Sequence, residues 1–326
     1  MRCPGLDALP PPPAGRSGWP WTEQTAALPP ATRDGNPWPR ISMVVASLNH
    51  SAFIEEMLRS ALLQGYPDLE LIVIDGGSGA ATLDVIKKYS PWLTYWVSEP
   101  DRGQSHAINK GMARVTGTIF NHFDTDDYLL PGALKTVAEW HAQHPDKIIA
   151  GDVVRTVEGD TRRELHRPIP HSLHAYAQWW DTEHHGGPGM FFPAAHLPAV
   201  GPVDESLHFL MDYEYTLRFL RVTSVVVPGA ALAVIRHHDA CKSVKDGDEF
   251  VWECVRIVRP YQAEFPDIAP RANREGAGVL FGFGVRRLLF GQGDAWRFIK
   301  EGMRIHPLWA IYWLVPGWFL RKWSRS

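Results

Sequence analysis

Short apolar runs alternate with amphipathic segments along the first half of the chain. The runs Ile41–Ser47, Leu69–Ile74, Leu93–Val97 and Thr118–Phe123 have the length and composition of buried β-strands. Each run is followed by a segment in which apolar residues recur with helical spacing. Strands that alternate with helices predict an α/β fold with a mostly parallel central sheet flanked by helices. The predicted helices cover residues 51–64, 81–89, 104–115 and 134–144.

The second half of the chain has a more mixed pattern. Two β-like segments between Lys147 and Leu165 flank the turn-like residues 158–160, which predicts a hairpin. Before the first strand, residues 1–40 contain ten prolines and predict an extended or disordered leader. The further predicted elements are helices over Tyr213–Leu220 and Phe250–Phe265 and strands over Ser224–Val227 and Leu232–Ile235.

The end of the chain is basic and aromatic. From Gly284 onward there are eight Arg or Lys residues against two acidic ones, and residues 306–320 are rich in Trp and Leu but interrupted by proline. This combination favours contact with an anionic membrane interface. An apolar helix that docks on the rest of the chain or on a second subunit is the alternative. No apolar stretch reaches the roughly 20 residues that a membrane-spanning helix needs.

Composition narrows the class of protein. The chain has 326 residues, 45% of them hydrophobic, and a formal net charge of −3, which argues against a general nucleic-acid-binding protein. The chain has three cysteines, Cys3, Cys241 and Cys254. Their spacing is not that of a zinc site, and three are too few for a disulfide framework. Residues 1–40 lack the continuous apolar stretch of a signal peptide. We therefore expect a cytoplasmic protein, with peripheral contact to the inner face of the cell membrane.

Polar residues follow the predicted strands where each strand ends. Asn49, Asp75, Glu99 and Asp124 all hold such positions. The carboxyl ends of parallel strands meet at one edge of a sheet, and ligands of α/β folds bind beyond that edge. The sequence therefore predicts a polar rim with a ligand site.

Three carboxylates crowd the end of the fourth predicted strand, at Asp124, Asp126 and Asp127. Such a cluster loses hydration and repels itself unless a cation offsets the charge. Mg²⁺ and Mn²⁺ prefer oxygen ligands, and they commonly bring phosphates with them. The alternative is a polar cap on the helix that starts near Pro131, and the shared rim favours the metal.

Three other polar segments are candidates for chemistry. Residues 100–111 lead into a helix and include Arg102 and Lys110, which suit phosphate contacts or, alternatively, a solvated helix start. Asp212 is either a general base or a charge that complements a helix N-terminus. Residues 236–243 include His238 and Lys242 and suit phosphate or metal binding, or form a basic surface loop.

Seven segments follow one another along the chain in a characteristic order: Val44–Asn49, Leu71–Ser78, Pro100–Gly111, Asp124–Asp127, His185–Phe192, Met211–Glu214 and Arg236–Ser243. Their order resembles that of the family 2 inverting glycosyltransferases with the GT-A fold. The resemblance covers residues 41–245, which implies a GT-A domain there, the leader before it, and a helical, amphipathic C-terminal extension over 246–326. Departures from the family pattern occur at residues 79–82, at His106 and at Cys241.

The resemblance also implies roles for individual residues. A divalent metal, Mg²⁺ or Mn²⁺, would be bound by Asp126, with Asp124 and Asp127 contributing to the same site. Asp212 would be the general base. The donor, a nucleotide-diphosphate sugar, would be held by Ser47, Asn49, Asp75, Arg102, Lys110, Asp124, His238 and Lys242.

The function implied by the resemblance is metal-dependent, inverting sugar transfer from the nucleotide-diphosphate sugar to a hydroxyl acceptor. The acceptor would be a glycan or a lipid-linked precursor in cell-surface polysaccharide or glycolipid synthesis. Two alternatives stay open: a non-catalytic nucleotide-sugar-binding protein on the same fold, and a nucleotidyltransferase. The second lacks support, because no Gly-rich phosphate loop with a lysine follows the first strand.

Overall fold

The chain folds into two compact units. The first unit comprises Met1–Leu173 and His184–His238, and the second comprises His174–Glu183 and Asp239–Ser326. The computed structural model describes residues 1–157, 162–167, 172–178, 187–238, 241–242, 247–291 and 293–308.

The strands lie close to the predicted runs, and most of the helices do as well. The strands are β1 Ile41–Ser47, β2 Leu69–Asp75, β3 Tyr95–Ser98, β4 Ile119–Asp124, β5 Tyr128–Leu129, β6 Ile148–Ala150, β7 Asp152–Val157, β8 Arg163–His166, β9 Met190–Pro193, β10 Val225–Val226 and β11 Ala231–His237. The helices are α1 Ile54–Leu62, α2 Ala80–Tyr89, α3 Gln104–Met112, α4 Ala133–Gln143, α5 Leu173–Tyr176, α6 Leu197–Val200, α7 Met211–Phe219, α8 Gly247–Glu264, α9 Ala269–Leu289 and α10 Ala295–Ile305.

Seven strands form the central sheet, in the order β10-β6-β9-β4-β1-β2-β3. β1 pairs in parallel with both β2 and β4, and β2 pairs in parallel with β3. β9 is antiparallel to its two neighbours. The mostly parallel sheet that the alternating pattern predicts is therefore confirmed. Its middle strands are buried along almost their whole length, because helices cover both faces.

The register of the middle strands fixes where they end. Ser47 lies opposite Asp75 across the β1–β2 pair, and Ala46 lies opposite Asp124 across the β1–β4 pair. The three strands therefore end at the same level, and the loops that follow them share one edge of the sheet. We call this edge the rim.

A second sheet brings a distant segment to the rim. Its order is β5-β11-β7-β8, and β7 and β8 are antiparallel, as the predicted hairpin requires. The turn of that hairpin, residues 158–160, lies outside the described residues. Val234 in β11 pairs with Tyr128 in β5, which directly follows the three carboxylates. The end of β11 is thereby held beside the acidic cluster.

The leader lies on the first unit as mostly irregular chain. Arg59 of α1 is completely buried and donates hydrogen bonds to the carbonyl oxygens of Pro10, Pro20 and Trp21, at 2.8 to 3.0 Å. Trp19 Nε1 donates to the carbonyl of Leu129 at 2.7 Å. An extended chain leaves its carbonyls unpaired, so donors from the folded body are what hold it in place.

The described part of the second unit is helical. α9 packs closely on α10, because Gly284 and Gly302 have no side chains and let the two backbones approach. Phe298 of α10 is fully buried and packs edge-on against Trp252 of α8. No helix among the described residues is long and apolar enough to cross a membrane. Of the aromatic segment 306–320, residues 309–320 lie outside the described part of the chain.

Candidate functional site

The three carboxylates lie together in the loop after β4. Asp124 ends the strand, and the backbone N–H of Asp127 donates to the carbonyl of Asp124 at 3.4 Å, which closes a tight turn. One carboxylate oxygen from each of Asp124, Asp126 and Asp127 lies within 4.8 Å of the others. Sequence reasoning predicted this convergence.

The chemistry of the cluster fits a hard divalent cation. Burial, together with the negative charges of Asp126 and Asp124, raises the pKa of the Asp127 carboxyl well above its usual range. The cluster thus has more negative charge than its surroundings stabilise. Mg²⁺ and Mn²⁺ would offset that charge, and carboxylate oxygens are the ligands that they prefer.

The end of β11 is fixed to the acidic loop by Arg236. Its backbone N–H donates to Oδ1 of Asp127 at 3.0 Å, and its Nε donates to the carbonyl oxygen of Asp126. Its Nη1 forms an ion pair of 2.7 Å with Glu56 of α1. The guanidinium therefore joins α1, the acidic loop and β11, which holds the loop in one conformation.

His238 also contacts the acidic loop. Its Nε2 is 3.2 Å from Oδ2 of Asp126, and its ring stacks on Phe53 with 4.5 Å between the ring centres. The side chain is buried. The structure therefore brings His238, which sequence reasoning selected, to Asp126.

Gln104 orients the first carboxylate of the cluster. It is the first residue of α3, and its Nε2 donates to Oδ1 of Asp124 at 2.6 Å. Sequence reasoning missed the roles of Gln104, Arg236 and Glu56. Gln104 and Arg236 lie in segments that the polar pattern singled out, whereas no signal in the sequence pairs Glu56 with Arg236.

The turn after β2 is built around Asp75. The carboxylate is fully buried and accepts from the backbone N–H groups of Gly77 and Ser78 and from the hydroxyls of Ser78 and Ser98. These four hydrogen bonds fix the shape of the turn. The predicted contact of Asp75 with a nucleotide stays a prediction.

The loop after β1 is tied to this turn. The backbone N–H of Asn49 donates to Ser78 Oγ at 2.7 Å, and the side-chain oxygen of Asn49 accepts from the N–H of Gly79 at 3.0 Å. Asn49 has a positive φ of 57°, which asparagine tolerates better than most residues. Ser47 is buried, and its hydroxyl has no hydrogen-bond partner among the described residues.

The two cationic candidates on the rim are paired with acids. Arg102 forms an ion pair of 2.7 Å with Glu205, and its side chain is 69% exposed. Lys110 forms an ion pair of 2.7 Å with Glu99. Both pairs are at the surface, where solvent weakens the attraction and an incoming phosphate could compete for the cation.

Asp212 is the second residue of α7 and is partly buried. The loop that leads to it is fixed on α3: Ser105 Oγ donates to the carbonyl of Leu207 at 3.2 Å, and Asn109 Nδ2 donates to the carbonyl of Val203 at 2.9 Å. The helix that positions Asp124 through its first residue therefore also anchors the approach to Asp212.

Two predicted elements are only partly within the described residues. Lys242 is exposed and belongs to the second unit, so its donor contact stays a prediction. Residues 185–186, at the start of the glycine-rich segment 185–192, lie outside the described residues, as do 239–240 and 243 of the basic loop.

The sequence is similar to several curated glycosyltransferases. An uncharacterized glycosyltransferase of Rickettsia typhi is 26% identical over 223 residues, which are 62% of this chain and 65% of the relative. One of Mycobacterium tuberculosis is 28% identical over 184 residues, 55% of this chain and 68% of the relative. A PGL/p-HBAD biosynthesis glycosyltransferase of Mycobacterium bovis is 32% identical over 121 residues, 36% of this chain and 47% of the relative. The chain thus spans about two thirds or less of these relatives.

Solved structures with a similar fold include S. aureus TarS. Its complex with UDP has a TM-score of 0.53 and 18% identity, and covers 67% of this chain and 64% of that chain. Its complex with UDP-GlcNAc has a TM-score of 0.55 and 15% identity, and the match covers 81% of this chain and 91% of that chain. At these identities the likeness is one of fold, and it agrees with the predicted GT-A arrangement. Residues 42–195 match the model of glycosyl transferase family 2, so this part of the chain is similar to that family.

Proposed function

We propose that this protein transfers a sugar from a nucleotide-diphosphate donor to a hydroxyl acceptor, with a divalent metal and with inversion at the anomeric carbon. The observation that carries the proposal is the convergence of the Asp124, Asp126 and Asp127 oxygens on the rim. Three carboxylates repel a diphosphate, because both are negatively charged. A divalent cation bound between them would attract both and would let the diphosphate bind.

The donor is proposed to lie along the rim from the end of β2, past β1, to the end of β4. The fixed loop at Asn49 and the turn around Asp75 offer a rigid wall for a nucleotide, and the three carboxylates follow β4, which is next to β1 in the sheet. TarS, which shares the fold, binds UDP and UDP-GlcNAc. Uridine diphosphate sugars are therefore the first donors to test.

The metal would be held by Asp126 together with Asp124 and Asp127. When bound, it would stabilise the negative charge that develops on the departing diphosphate. Gln104 and Arg236 would keep the carboxylates in place through the contacts already described. Arg102 and Lys110 would exchange their acidic partners for phosphate oxygens.

Asp212 is proposed as the general base. As the acceptor hydroxyl attacks the anomeric carbon opposite the diphosphate, Asp212 would take the hydroxyl proton, and single displacement would invert the configuration. The placement of α7 through α3 supports this role, because it ties the base to the helix that orients Asp124. A glycan or a lipid-linked precursor is the proposed acceptor class.

Thermal-shift measurements with nucleotide-diphosphate sugars test the donor and metal together. UDP-GlcNAc with Mn²⁺ should raise the melting temperature more than either alone, because a ligand stabilises the fold according to its affinity. Asp126→Asn should remove the Mn²⁺ contribution. Asp84→Asn, at an exposed position of α2, is the matched control and should retain it.

Release of UDP distinguishes catalysis from binding. Slow donor hydrolysis with Mn²⁺ that stops in Asp126→Asn supports the proposal. Stabilisation by donors with no UDP release, with or without glycan and lipid acceptors, would favour the non-catalytic binding protein. Release of pyrophosphate from a nucleoside triphosphate and a sugar phosphate would identify a nucleotidyltransferase instead.

A further inference from the structure

Large apolar side chains are exposed at one end of the second unit. Leu289 is 78% exposed, Phe290 73% and Trp296 60%, and Leu288 beside them is 47% exposed. In the first unit, no described large apolar side chain is more than 50% exposed. Scattered apolar residues on a surface are ordinary, but a group of four at one corner indicates an interaction surface.

Helix packing places these four side chains together. α9 ends at Leu289, a short connection follows, and α10 begins at Ala295. A side chain added at Gly284 would meet the backbone of Ala295 and Ile299, so the end of α9 lies against the start of α10. Arg287 Nε also donates to the carbonyl of Gly293 in the connection. Leu288, Leu289, Phe290 and Trp296 therefore form the tip of a helical hairpin, which we call the hairpin tip.

Basic residues surround the hairpin tip. Residues 284–308 contain five Arg or Lys against two acids. Arg286 and Lys300 are exposed, and neither has an ion-pair partner among the described residues. Lys300 is four positions after Trp296 in α10, so the two share a face of that helix. The opposite face, with Phe298 and Gly302, is buried against the rest of the unit.

We propose that the hairpin tip docks on an anionic membrane surface. The apolar side chains would enter the boundary between headgroups and acyl chains, where Trp is favoured, while Arg286 and Lys300 would contact lipid phosphates. The surface needs no spanning helix for this, and it is a different element from the aromatic segment 306–320. The inference does not depend on the proposed sugar transfer.

The positive charge around the hairpin tip disfavours a second copy of the chain as its binding partner. In a symmetric dimer the same patch would face itself, and its uncompensated Arg286 and Lys300 would meet like charges. An anionic lipid surface complements both properties of the hairpin tip, the apolar centre and the basic surroundings.

Vesicle co-sedimentation of the full chain tests the proposal. Wild-type protein should bind vesicles of equal parts phosphatidylglycerol and phosphatidylcholine. The double variant Leu289→Ser, Phe290→Ser should bind about tenfold or more weakly, because two apolar side chains no longer leave water. Arg286→Gln, Lys300→Gln should lose about 25-fold on these vesicles, roughly fivefold for each charge, while its binding to pure phosphatidylcholine should stay as in wild type.

Controls come from exposed positions of the first unit. Val222→Ser removes an apolar side chain that is 42% exposed, and Lys87→Gln removes an exposed charge; both should bind as wild type does. All variants should keep the wild-type melting temperature, since each side chain is at the surface.

Three results would overturn the proposal. Unchanged vesicle binding by both hairpin-tip variants would exclude this surface as the docking element. A dimer in sedimentation velocity that Leu289→Ser, Phe290→Ser converts to monomer, with no vesicle binding by wild type, would make the surface a self-association site. A lower melting temperature of that variant with unchanged vesicle binding would mean that another segment of the chain covers it.

Discussion

Gln104 donates a hydrogen bond from its side-chain amide to Oδ1 of Asp124 at 2.6 Å. One residue along the same helix, Ser105 donates to the carbonyl of Leu207 in the loop that precedes Asp212. The first turn of α3 thus contacts both the acidic cluster and the approach to the proposed base. Two acids that are far apart in sequence are positioned by neighbouring residues of one helix.

The Gln104–Asp124 contact predicts a defect in activity without a defect in folding. Gln104→Ala should lower kcat/KM for sugar transfer about tenfold and raise the Mn²⁺ concentration needed for half-maximal rate, because groups that orient a metal ligand typically contribute this much. Titration of the rate with Mn²⁺ measures the effect. Gln143→Ala, at an exposed end of α4, is the matched control. An unchanged Mn²⁺ dependence in Gln104→Ala would contradict the orienting role.

Replacement of the proposed base should separate chemistry from binding. Asp212→Asn should lower the rate of transfer about 10²- to 10⁴-fold, the usual contribution of a general base, and leave the donor-induced rise in melting temperature intact. Glu214→Gln is the control, since the Glu214 carboxylate accepts from Arg218 within α7. Turnover near the wild-type rate in Asp212→Asn would remove Asp212 from this role.

Removal of the buried Arg59 guanidinium should greatly lower the stability of the fold. Arg59→Met should leave the carbonyls of Pro10, Pro20 and Trp21 without their donor, which costs about 3 kcal/mol or more in total. Calorimetry should show a melting temperature lower by about 6–12 °C. Trypsin should also cleave faster after Arg16. Arg33→Met, at an exposed position of the leader, is the control, and equal behaviour of the two variants would contradict the proposed anchoring.

His122 predicts a dependence of stability on pH. The side chain is buried in β4 against Phe192 and Tyr215, and neither ring nitrogen has a hydrogen-bond partner among the described residues. Burial lowers the pKa of His122 from 6.5 to about 4. The unfolded chain therefore binds a proton more readily than the folded chain does between pH 6.5 and pH 4, and stability falls as the pH falls through this range.

Comparison with His122→Phe isolates this effect, because the variant keeps an aromatic ring and removes the titration. Between pH 7 and pH 5 the wild type should lose about 2 kcal/mol more unfolding free energy than the variant does. Urea titrations at the two pH values measure the difference. Parallel pH profiles for the two proteins would show that His122 does not contribute.

The sequence predicted the central sheet well because local chemistry decides it. The run Leu69–Ile74 is apolar except for Glu70, as expected for a strand buried on both faces, and the polar residue Asp75 follows where it ends. The convergence of Asp124, Asp126 and Asp127 follows from four residues of chain. In these places the distance along the chain and the distance in space are both short.

Contacts between distant segments were not predictable in the same way. Glu56 and Arg236 are 180 residues apart and form an ion pair that no local pattern announces. Arg59 occurs in an amphipathic helix, where an arginine is usually exposed, and its burial depends on carbonyls from the leader. The proline content of residues 1–40 predicts an extended backbone for the leader. It does not predict which side chains of the folded body donate hydrogen bonds to that backbone.

The contact between Trp19 and Leu129 has a consequence for synthesis of the chain. Trp19 leaves the ribosome 110 residues before its partner, which at roughly 5–20 residues per second leaves it unpaired for about 5–20 seconds. A segment with ordinary strand propensity would have time to pair with a wrong edge. Prolines remove backbone donors and disfavour such pairing, so the composition of the leader keeps it available until β5 has been made.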